Sequence, residues 1–573
     1  MIRLKKMMAL AIAMVMVICT MNFAVMAAPG DLSVNSTLTV SGLGAGDKVE
    51  YYQILKWDVS EATGDPANGW VWGTFATPDA EKKVNGMLAS DIYGANDRQN
   101  KITDVIAGKL GEAATTAMSS PASPKVNSNG EWIIKDVPAG LYMVIVTSGT
   151  PGTMYNPIFV AANFYGNGEQ PDTSNSWITT SDPTYSNNAM AKMSTIPVEK
   201  EADSKDDDDA DTVDVGETVN FTVTTKVPKF ASNYKDPVFI IEDKLKGLEV
   251  DIDSVTVTGA ASTDYDKTKL TPGTDDEWDS GYSIRFKKNF LQNVPATGQE
   301  ITVTYSAVVT DKALQNVNQE TNTVEIKFSI DPKDTTGYGL LRDETNHFTF
   351  SLDASILGDE YENESSTEAI KVGLDKEGNP IVSEKSYATS TTKHAALEGA
   401  TFKLYKEKAC TNLYTNPEFN GEVASDGMGR LTIKGLDVGT YWLKEETAPN
   451  GFIKMQDPIE VTITADITQD VKVVDEVDYN GTKVQVTYYT NVLNGYTVTV
   501  GGATTTYTIK NSKYIATSTT IRPGSSDAEL VNTKGVELPA TGGIGTTIFY
   551  VIGAVLVLGA GILLVTRRRM DTF

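Results

Sequence analysis

The sequence predicts an all-β protein built of tandem immunoglobulin-like β-sandwich domains, with one apolar helix at each end. Three runs, ETVNFTVTTKV (217–227), EITVTYSAVV (300–309) and NTVEIKFSI (322–330), alternate apolar and polar residues with period two. Gly, Asp, Asn and Pro interrupt such runs throughout, and short strands joined by polar turns are typical of β-sandwiches. Helical pattern is scarce, and its best example is KITDVIAGKL (101–110).

The N-terminal helix is predicted to be a secretory signal peptide over residues 1–28. Basic residues at positions 3, 5 and 6 precede an apolar run, Met7–Val25, which ends in the small-residue stretch VMAAPG. A basic start, an apolar centre and a small-residue cleavage site are the three parts of such a signal. We therefore expect an exported protein.

The C-terminal helix is predicted to cross a membrane. Ile544–Val565 carries no charge, and roughly 20 apolar residues are enough to span a bilayer as a helix. Arg567–Arg569 follow directly, and basic residues are retained on the cytoplasmic side. This orientation places the rest of the exported chain outside the cell.

Composition limits the partners and the cross-links. The chain has 573 residues and a net charge of −26, and such acidity argues against a nucleic-acid partner. Of its two cysteines, Cys19 lies in the signal and Cys410 is left alone. The exported part therefore has no internal disulfide, the usual covalent link of extracellular proteins. Either another kind of covalent cross-link stabilises it, or it has no cross-link.

The exported part is expected to comprise three β-sandwich domains and a short C-terminal segment. The predicted N-terminal domain covers residues 29–194, the middle domain 195–346 and the C-terminal domain 347–535. Residues 536–573 hold the membrane helix and the residues around it.

No conventional active site is found in the sequence. His347 and His394 have no metal-ligand spacing, and there is neither a phosphate-binding loop nor a nucleophile-elbow serine. The acidic run Asp203–Asp214 lacks the glycine and the ligand spacing of a calcium loop, so we interpret it as a solvated loop or hairpin. We expect a protein that is not an enzyme and needs no metal or cofactor.

A pentapeptide directly before the membrane helix resembles the LPxTG sorting signal of Gram-positive surface proteins. It consists of Leu538, Pro539, Ala540, Thr541 and Gly542. Pro539 keeps the segment extended and available to an enzyme groove. The resemblance implies that a sortase cuts between Thr541 and Gly542, after transient membrane retention, and joins Thr541 to an amine in the cell wall or in another copy.

Over nearly its whole length the chain resembles the major (backbone) pilins. YWLKEETAPNGF matches the family E-box, with Glu445 as its glutamate, and VNTKGVELPATGG resembles the last strand and sorting signal. The resemblance implies a covalent head-to-tail polymer of identical subunits, linked by sortase and anchored to peptidoglycan at the cell surface. It also admits ancillary pilins and a host or bacterial ligand as partners. The alternative function is a wall-anchored adhesin that is never polymerised.

In the middle domain the resemblance implies an internal isopeptide bond between Lys200 and Asn322, promoted by Asp243. Burial makes a lysine amine neutral and nucleophilic, and a buried acid can polarise the asparagine amide. Contact between amine and amide supplies an effective molarity of about 10⁵ M or more, enough for one slow attack with loss of ammonia. The alternative is a surface lysine and a turn asparagine.

In the C-terminal domain Glu445 and Asn532 match the pattern, but the lysine does not. Gly373 stands where the family usually has its lysine, so Lys371 or Lys376 must substitute if the bond forms. We select Lys371. The resemblance implies a polymerisation lysine at the junction of the first and second domains, where this chain has Lys192, eight residues before Lys200; Lys200 is the alternative.

Overall fold

The structure of the chain is a computed structural model. It describes residues 36–59, 66–92, 102–118, 124–162, 187–204, 211–330, 338–353, 368–381, 395–477, 483–510, 513–519, 529–535 and 544–570, except residues 116, 139, 151, 233, 275, 315, 316, 318, 380 and 428. The predicted signal peptide and the sorting pentapeptide lie outside the described residues.

The described residues form two compact units and are mostly strands, which confirms the all-β prediction. The first unit ends at Ser194 apart from two short additional segments, and the second begins at Thr195. The second unit contains both the predicted middle and C-terminal domains, so the division into three domains remains a prediction.

The described residues of the first unit form two main sheets and one α-helix. Its strands are β1 (Ser36–Ser41), β2 (Lys48–Val59), β3 (Pro66–Trp72), β4 (Glu131–Val137), β5 (Gly140–Thr147), β6 (Thr153–Tyr155), β7 (Ile158–Ala162) and β8 (Asn188–Met190), and β9 (Met193–Thr195) lies at its boundary. The sheets have the orders β4-β1-β8 and β3-β2-β5-β7, and β6 pairs with β9. Helix α1 (Asp104–Ala113) overlaps the predicted helical run and begins after Thr103, whose side chain accepts a hydrogen bond from the Ile106 amide.

The second unit begins with two five-stranded sheets. The strands are β10 (Val198–Ser204), β11 (Thr218–Val227), β12 (Phe239–Leu245), β13 (Leu248–Val250), β14 (Thr256–Thr258), β15 (Tyr265–Leu270), β16 (Ser280–Phe286), β17 (Gln299–Val309), β18 (Gln319–Ser329) and β19 (Tyr338–Phe348). One sheet has the order β10-β11-β17-β13, with β14 also on β17, and the other has the order β15-β16-β12-β18-β19. Alternation buries Val219, Phe221 and Val223 of β11, as predicted.

The same unit continues with the C-terminal sheets. The strands are β20 (Phe350–Asp353), β21 (Ile370–Leu374), β22 (Ala395–Ala396), β23 (Thr401–Tyr405), β24 (Glu422–Ala424), β25 (Thr432–Leu436), β26 (Gly439–Thr447), β27 (Ile459–Val477), β28 (Lys483–Val500), β29 (Ala503–Lys510), β30 (Lys513–Thr519) and β31 (Glu529–Thr533). A seven-stranded sheet has the order β24-β23-β26-β27-β28-β29-β30, and a smaller one has the order β22-β21-β31. Strands β21 and β31 are parallel, with Gly373 opposite Asn532.

Short helix α2 (Lys288–Asn293), 3₁₀ turns at Ala89–Asp91 and Asp311–Leu314, and helix α3 (Ile544–Met570) complete the described elements. Within α3, Ile548–Met570 is long and apolar enough to cross a membrane. Helix α3 thus matches the predicted membrane segment.

The end of the acidic run corrects one interpretation. Asp214 accepts hydrogen bonds from the Tyr414 hydroxyl (2.8 Å) and the Asp437 amide (2.7 Å), and Asp211 accepts one from the Asn491 side chain. This part of the run is packed against the C-terminal strands rather than solvated, because its carboxylates find donors there. Residues 205–210 lie outside the described part of the chain.

Candidate functional site

The interior of the predicted middle domain contains a cluster of three side chains, those of Lys200, Asp243 and Asn322. Strand β10 carries the lysine in one sheet, while β12 and β18 carry the acid and the amide in the other. Both side chains of the ion pair are fully buried, and Asn322 is also buried. The Lys200 Nζ lies 2.8 Å and 2.6 Å from the two Asp243 carboxylate oxygens.

Two tyrosine hydroxyls complete this cluster. Tyr305, on β17, accepts hydrogen bonds from Lys200 Nζ (2.6 Å) and from Asn322 Nδ2 (2.7 Å), and donates one to Asp243 Oδ2 (2.8 Å). Tyr282, on β16, also donates to Asp243 Oδ2 (3.1 Å). The lysine is therefore held against the acid, and the asparagine is held against a tyrosine.

Burial dominates the electrostatics of the cluster. It lowers the pKa of Lys200, and the adjacent Asp243 charge opposes this effect only in part. Burial and the Asp243 charge raise the pKa of both tyrosines well above the usual value, so their hydroxyls keep their protons. The neighbouring Asp343 accepts a hydrogen bond from the Lys200 amide (2.7 Å), and burial raises its pKa to about 6.

The Asn322 carbonyl oxygen has no hydrogen-bond partner among the described residues although it is fully buried. Leaving a buried polar atom unpaired costs about 1–3 kcal/mol, and such atoms are rare in native proteins. The Asn532 carbonyl oxygen has the same property within the described part of the chain. Both predicted asparagines thus hold their amide nitrogen by hydrogen bonds and leave their oxygen free.

Lys371, Glu445 and Asn532 form a second buried cluster in the C-terminal segment. The Lys371 Nζ lies 3.2 Å from Glu445 Oε1, and Asn532 Nδ2 donates to Glu445 Oε2 (2.8 Å) and to the Ile453 carbonyl (2.7 Å). The Lys371 and Glu445 side chains are fully buried. Burial lowers the pKa of Lys371 to about 8, against the opposing charge of Glu445.

Strand geometry explains why Lys371 occupies this position. Lys371 and Gly373 are two residues apart on β21 and so face the same side, next to the parallel strand that carries Asn532. A Cβ on Gly373 would lie 2.8 Å from the Phe452 ring, which occupies the space of a side chain there. Lys376 follows the end of the strand, is exposed and pairs with Glu377.

Lys192 is exposed between β8 and β9, at the end of the first unit. The alternative, Lys200, has no exposed side-chain surface and is paired with Asp243.

Sequence reasoning missed Tyr305, Tyr282 and Asp343. Tyr305 offered a signal, because it continues the inward face of Ile301 and Val303 and so carries a hydroxyl into an apolar interior. A buried tyrosine hydroxyl usually has a hydrogen-bond partner. The strand pattern alone could have indicated a polar contact at Tyr305, but not the identity of its partner.

Two family models match parts of the chain. The prealbumin-like fold domain SpaA matches residues 385–477, and the LPXTG cell wall anchor motif matches residues 531–572. The trypsin-resistant surface T6 protein of Streptococcus pyogenes serotype M6 is 24% identical over 470 residues, which cover 75% of this chain and 79% of that protein.

Among solved structures, one backbone pilin has a similar fold. The T6 backbone pilin of S. pyogenes serotype M6 has a TM-score of 0.53 at 16% identity, and the match covers 89% of this chain and 100% of that one. The full-length major pilin SpaD from Corynebacterium diphtheriae has a TM-score of 0.42 at 17% identity, covering 74% of this chain and 90% of that one. Together with the apolar helix α3, the anchor motif makes this chain a cell-wall-anchored surface protein of the Gram-positive type. The chain is therefore similar in sequence to the T6 surface protein and similar in fold to the T6 backbone pilin, and it carries the LPXTG anchor motif.

Proposed function

We propose that this protein is the polymerised subunit of a sortase-assembled pilus, and that internal Lys–Asn isopeptide bonds stabilise two parts of it. One bond joins Lys200 to Asn322 and the other joins Lys371 to Asn532. The supporting observation is that each lysine lies with an acid and an asparagine in a fully buried cluster.

The burial of each cluster favours attack by the lysine. Transfer of a proton from the Lys200 ammonium to Asp243 along their 2.6 Å contact leaves a neutral amine, which burial favours. The amine nitrogen then forms a bond to the Asn322 amide carbon, the bond from that carbon to Nδ2 breaks, and the leaving nitrogen takes the proton held by Asp243 and departs as ammonia. The new amide nitrogen then gives its extra proton back to Asp243. The same sequence in the C-terminal cluster uses Glu445 as the acid.

The bonds would replace the missing disulfides. The middle bond closes a loop of roughly 120 residues, for which chain-entropy reasoning developed for disulfides gives about 4–5 kcal/mol as an upper value. Cys410 is the only cysteine of the predicted exported part, so no disulfide can supply this stabilisation within one chain.

For polymerisation we propose that a sortase joins Thr541 of one copy to Lys192 of the next. The exposure of Lys192 supports this choice, because an acceptor amine must reach the thioester on the enzyme. The complete burial of Lys200, together with its proposed internal bond, argues against the alternative.

Lys192→Ala should abolish polymerisation and leave the subunit folded and exported. On a denaturing gel, wall extracts of the unmodified strain should show a high-mass ladder, and the variant should show the monomer. Lys135→Ala is a matched control, because Lys135 is also an exposed lysine of the first unit, and it should keep the ladder.

Two results would contradict this proposal. A ladder that persists in Lys192→Ala would assign the linkage to another lysine. A single band in the unmodified strain would instead identify a wall-anchored adhesin that is not polymerised.

A further inference from the structure

The two clusters differ in how the acid reaches the asparagine. In the C-terminal cluster one carboxylate contacts both groups, with Glu445 Oε1 near Lys371 and Oε2 bonded to Asn532 Nδ2. In the middle cluster the Asp243 oxygens bond to Lys200, Tyr282 and Tyr305, and no hydrogen bond joins them to Asn322 among the described residues. The hydrogen bond from the asparagine amide to the acid, which Glu445 accepts directly, is therefore absent from the described contacts of Asp243.

The Tyr305 hydroxyl occupies the position of the missing connection. Aspartate is one methylene shorter than glutamate, and the hydroxyl lies between Asp243 Oδ2 (2.8 Å) and Asn322 Nδ2 (2.7 Å). It also contacts Lys200 Nζ at 2.6 Å. These three contacts use the one donor and the two acceptor positions of a hydroxyl, so its orientation is fixed.

We propose that Tyr305 is a catalytic residue of the middle-domain cross-link, whose hydroxyl relays a proton from Asp243 to the departing nitrogen of Asn322. This inference rests on the proposed Lys200–Asn322 bond. It assigns to an aspartate and a tyrosine together the task that Glu445 performs alone in the C-terminal cluster.

The proposed relay conserves atoms and charge at every step. Lys200 first gives a proton to Asp243, and its neutral nitrogen bonds to the amide carbon of Asn322. Tyr305 then donates its hydroxyl proton to Nδ2 and takes the proton held by Asp243. The carbon–Nδ2 bond breaks, ammonia leaves with that electron pair, and the carbonyl re-forms. The new amide nitrogen finally loses its extra proton to Asp243, which ends protonated.

The surroundings of Tyr305 suit this role. Burial and the Asp243 charge raise its pKa well above the usual value, so the hydroxyl has a proton to give. Its ring stacks on Phe221 (centroids 5.0 Å apart) and meets the Tyr282 ring edge to face (4.9 Å). Removal of the hydroxyl alone would leave these ring contacts in place.

The test compares Tyr305→Phe with Tyr282→Phe in the full chain. Both changes remove a buried hydroxyl that donates to Asp243, but of these two only Tyr305 is seen to contact the lysine and the asparagine. Protease digestion and mass spectrometry of freshly synthesised protein would follow the linked peptide pair containing Lys200 and Asn322. Tyr305→Phe should slow its appearance by about 10²-fold, a typical contribution of positioned proton transfer, and Tyr282→Phe should not.

A second variant separates proton relay from packing. Asp243→Glu combined with Tyr305→Phe recreates the acid arrangement of the C-terminal cluster and should regain much of the lost rate, whereas a packing role predicts no recovery. The peptide pair containing Lys371 and Asn532 serves as an internal control, because its cluster has no tyrosine among the described contacts of Glu445.

Three outcomes would overturn the inference. Tyr305→Phe could link as fast as the unmodified protein, or the folded double variant could fail to recover, and either result removes the relay. If the unmodified, folded protein itself lacks the Lys200–Asn322 link, the proposed function fails for this domain and the relay fails with it.

Discussion

Asp437 shows how a single buried carboxyl group makes stability depend on pH. It follows β25, and its Oδ1 accepts a hydrogen bond from the Val438 amide (2.6 Å). Burial, together with the negative charges of Asp214 and Glu217, raises its pKa to about 7, although a hydrogen bond from Thr212 opposes the shift. The folded protein therefore keeps a proton that the unfolded chain loses near its ordinary pKa of 3.8.

We expect Asp437→Asn to flatten the pH dependence of stability. Because the folded pKa is raised, the contribution of this proton is fully present below about pH 4 and is lost as pH rises through about 7. At about 1.4 kcal/mol per pKa unit, the loss is at most about 4 kcal/mol. Denaturant unfolding between about pH 5 and pH 8 should show a steeper decline in the unmodified protein than in the variant, and parallel declines would contradict the assignment.

At the residue scale, the sequence predicted the members of each cluster better than their contacts. The resemblance to backbone pilins selected Lys200, Asp243 and Asn322, which the structure brings together. Strand alternation explains why Lys371, which the sequence analysis selected, rather than Lys376 lies in the second cluster. Tyr305 could not be assigned, because the partner of an inward hydroxyl depends on strands far apart along the chain.

At the element scale, the β27–β28 hairpin is the main feature that the sequence did not predict. Its strands are 19 and 18 residues long, and strand β28 lies beyond the part matched by the prealbumin-like domain model. Glu344, on β19, contacts Lys472 (3.2 Å) and Thr490 (2.8 Å) of this hairpin. Such non-local contacts leave no periodic signal in the sequence.

Gly373 tests the packing that positions β21 against β31. Gly373→Ala would place a methyl group 2.8 Å from the Phe452 ring, next to Ile453, whose carbonyl holds Asn532. We expect a loss of about 1–3 kcal/mol in the free energy of unfolding, as for other overpacked sites, and slower formation of the C-terminal bond.

Gly427→Ala is the matched control, because its added methyl group would have only an ordinary 3.7 Å contact with Glu398. Thermal unfolding of the two variants would measure the difference. Equal melting temperatures would show that the Phe452 ring can move aside without cost.

At the scale of the whole molecule, the two proposed bonds shorten the path that carries force along a pilus. In the proposed polymer, tension enters at Lys192 and leaves at Thr541. The bonds would connect Lys200 directly to Asn322 and Lys371 directly to Asn532, so the strands between these residues would carry no tension. Each proposed bond would join an early strand of its segment, β10 or β21, to a late strand, β18 or β31.

The arrangement of charge and anchor fits the same picture. A net charge of −26 favours a solvated exterior, and the apolar helix α3 supplies the one predicted membrane contact of the described chain. Composition and the end segments were enough to predict a surface location. The proposed internal cross-links would depend on side chains brought together by folding, so composition could not reveal them.

The most direct test of the account is the mass of peptides from the folded, unmodified full chain after protease digestion. We expect Lys200 and Asn322 in one linked peptide pair, and Lys371 and Asn532 in a second, each lighter than the sum of its peptides by the mass of one ammonia. Asn322→Ala and Asn532→Ala should each abolish only their own pair. Recovery of all four residues in separate peptides of full mass would contradict the central claim.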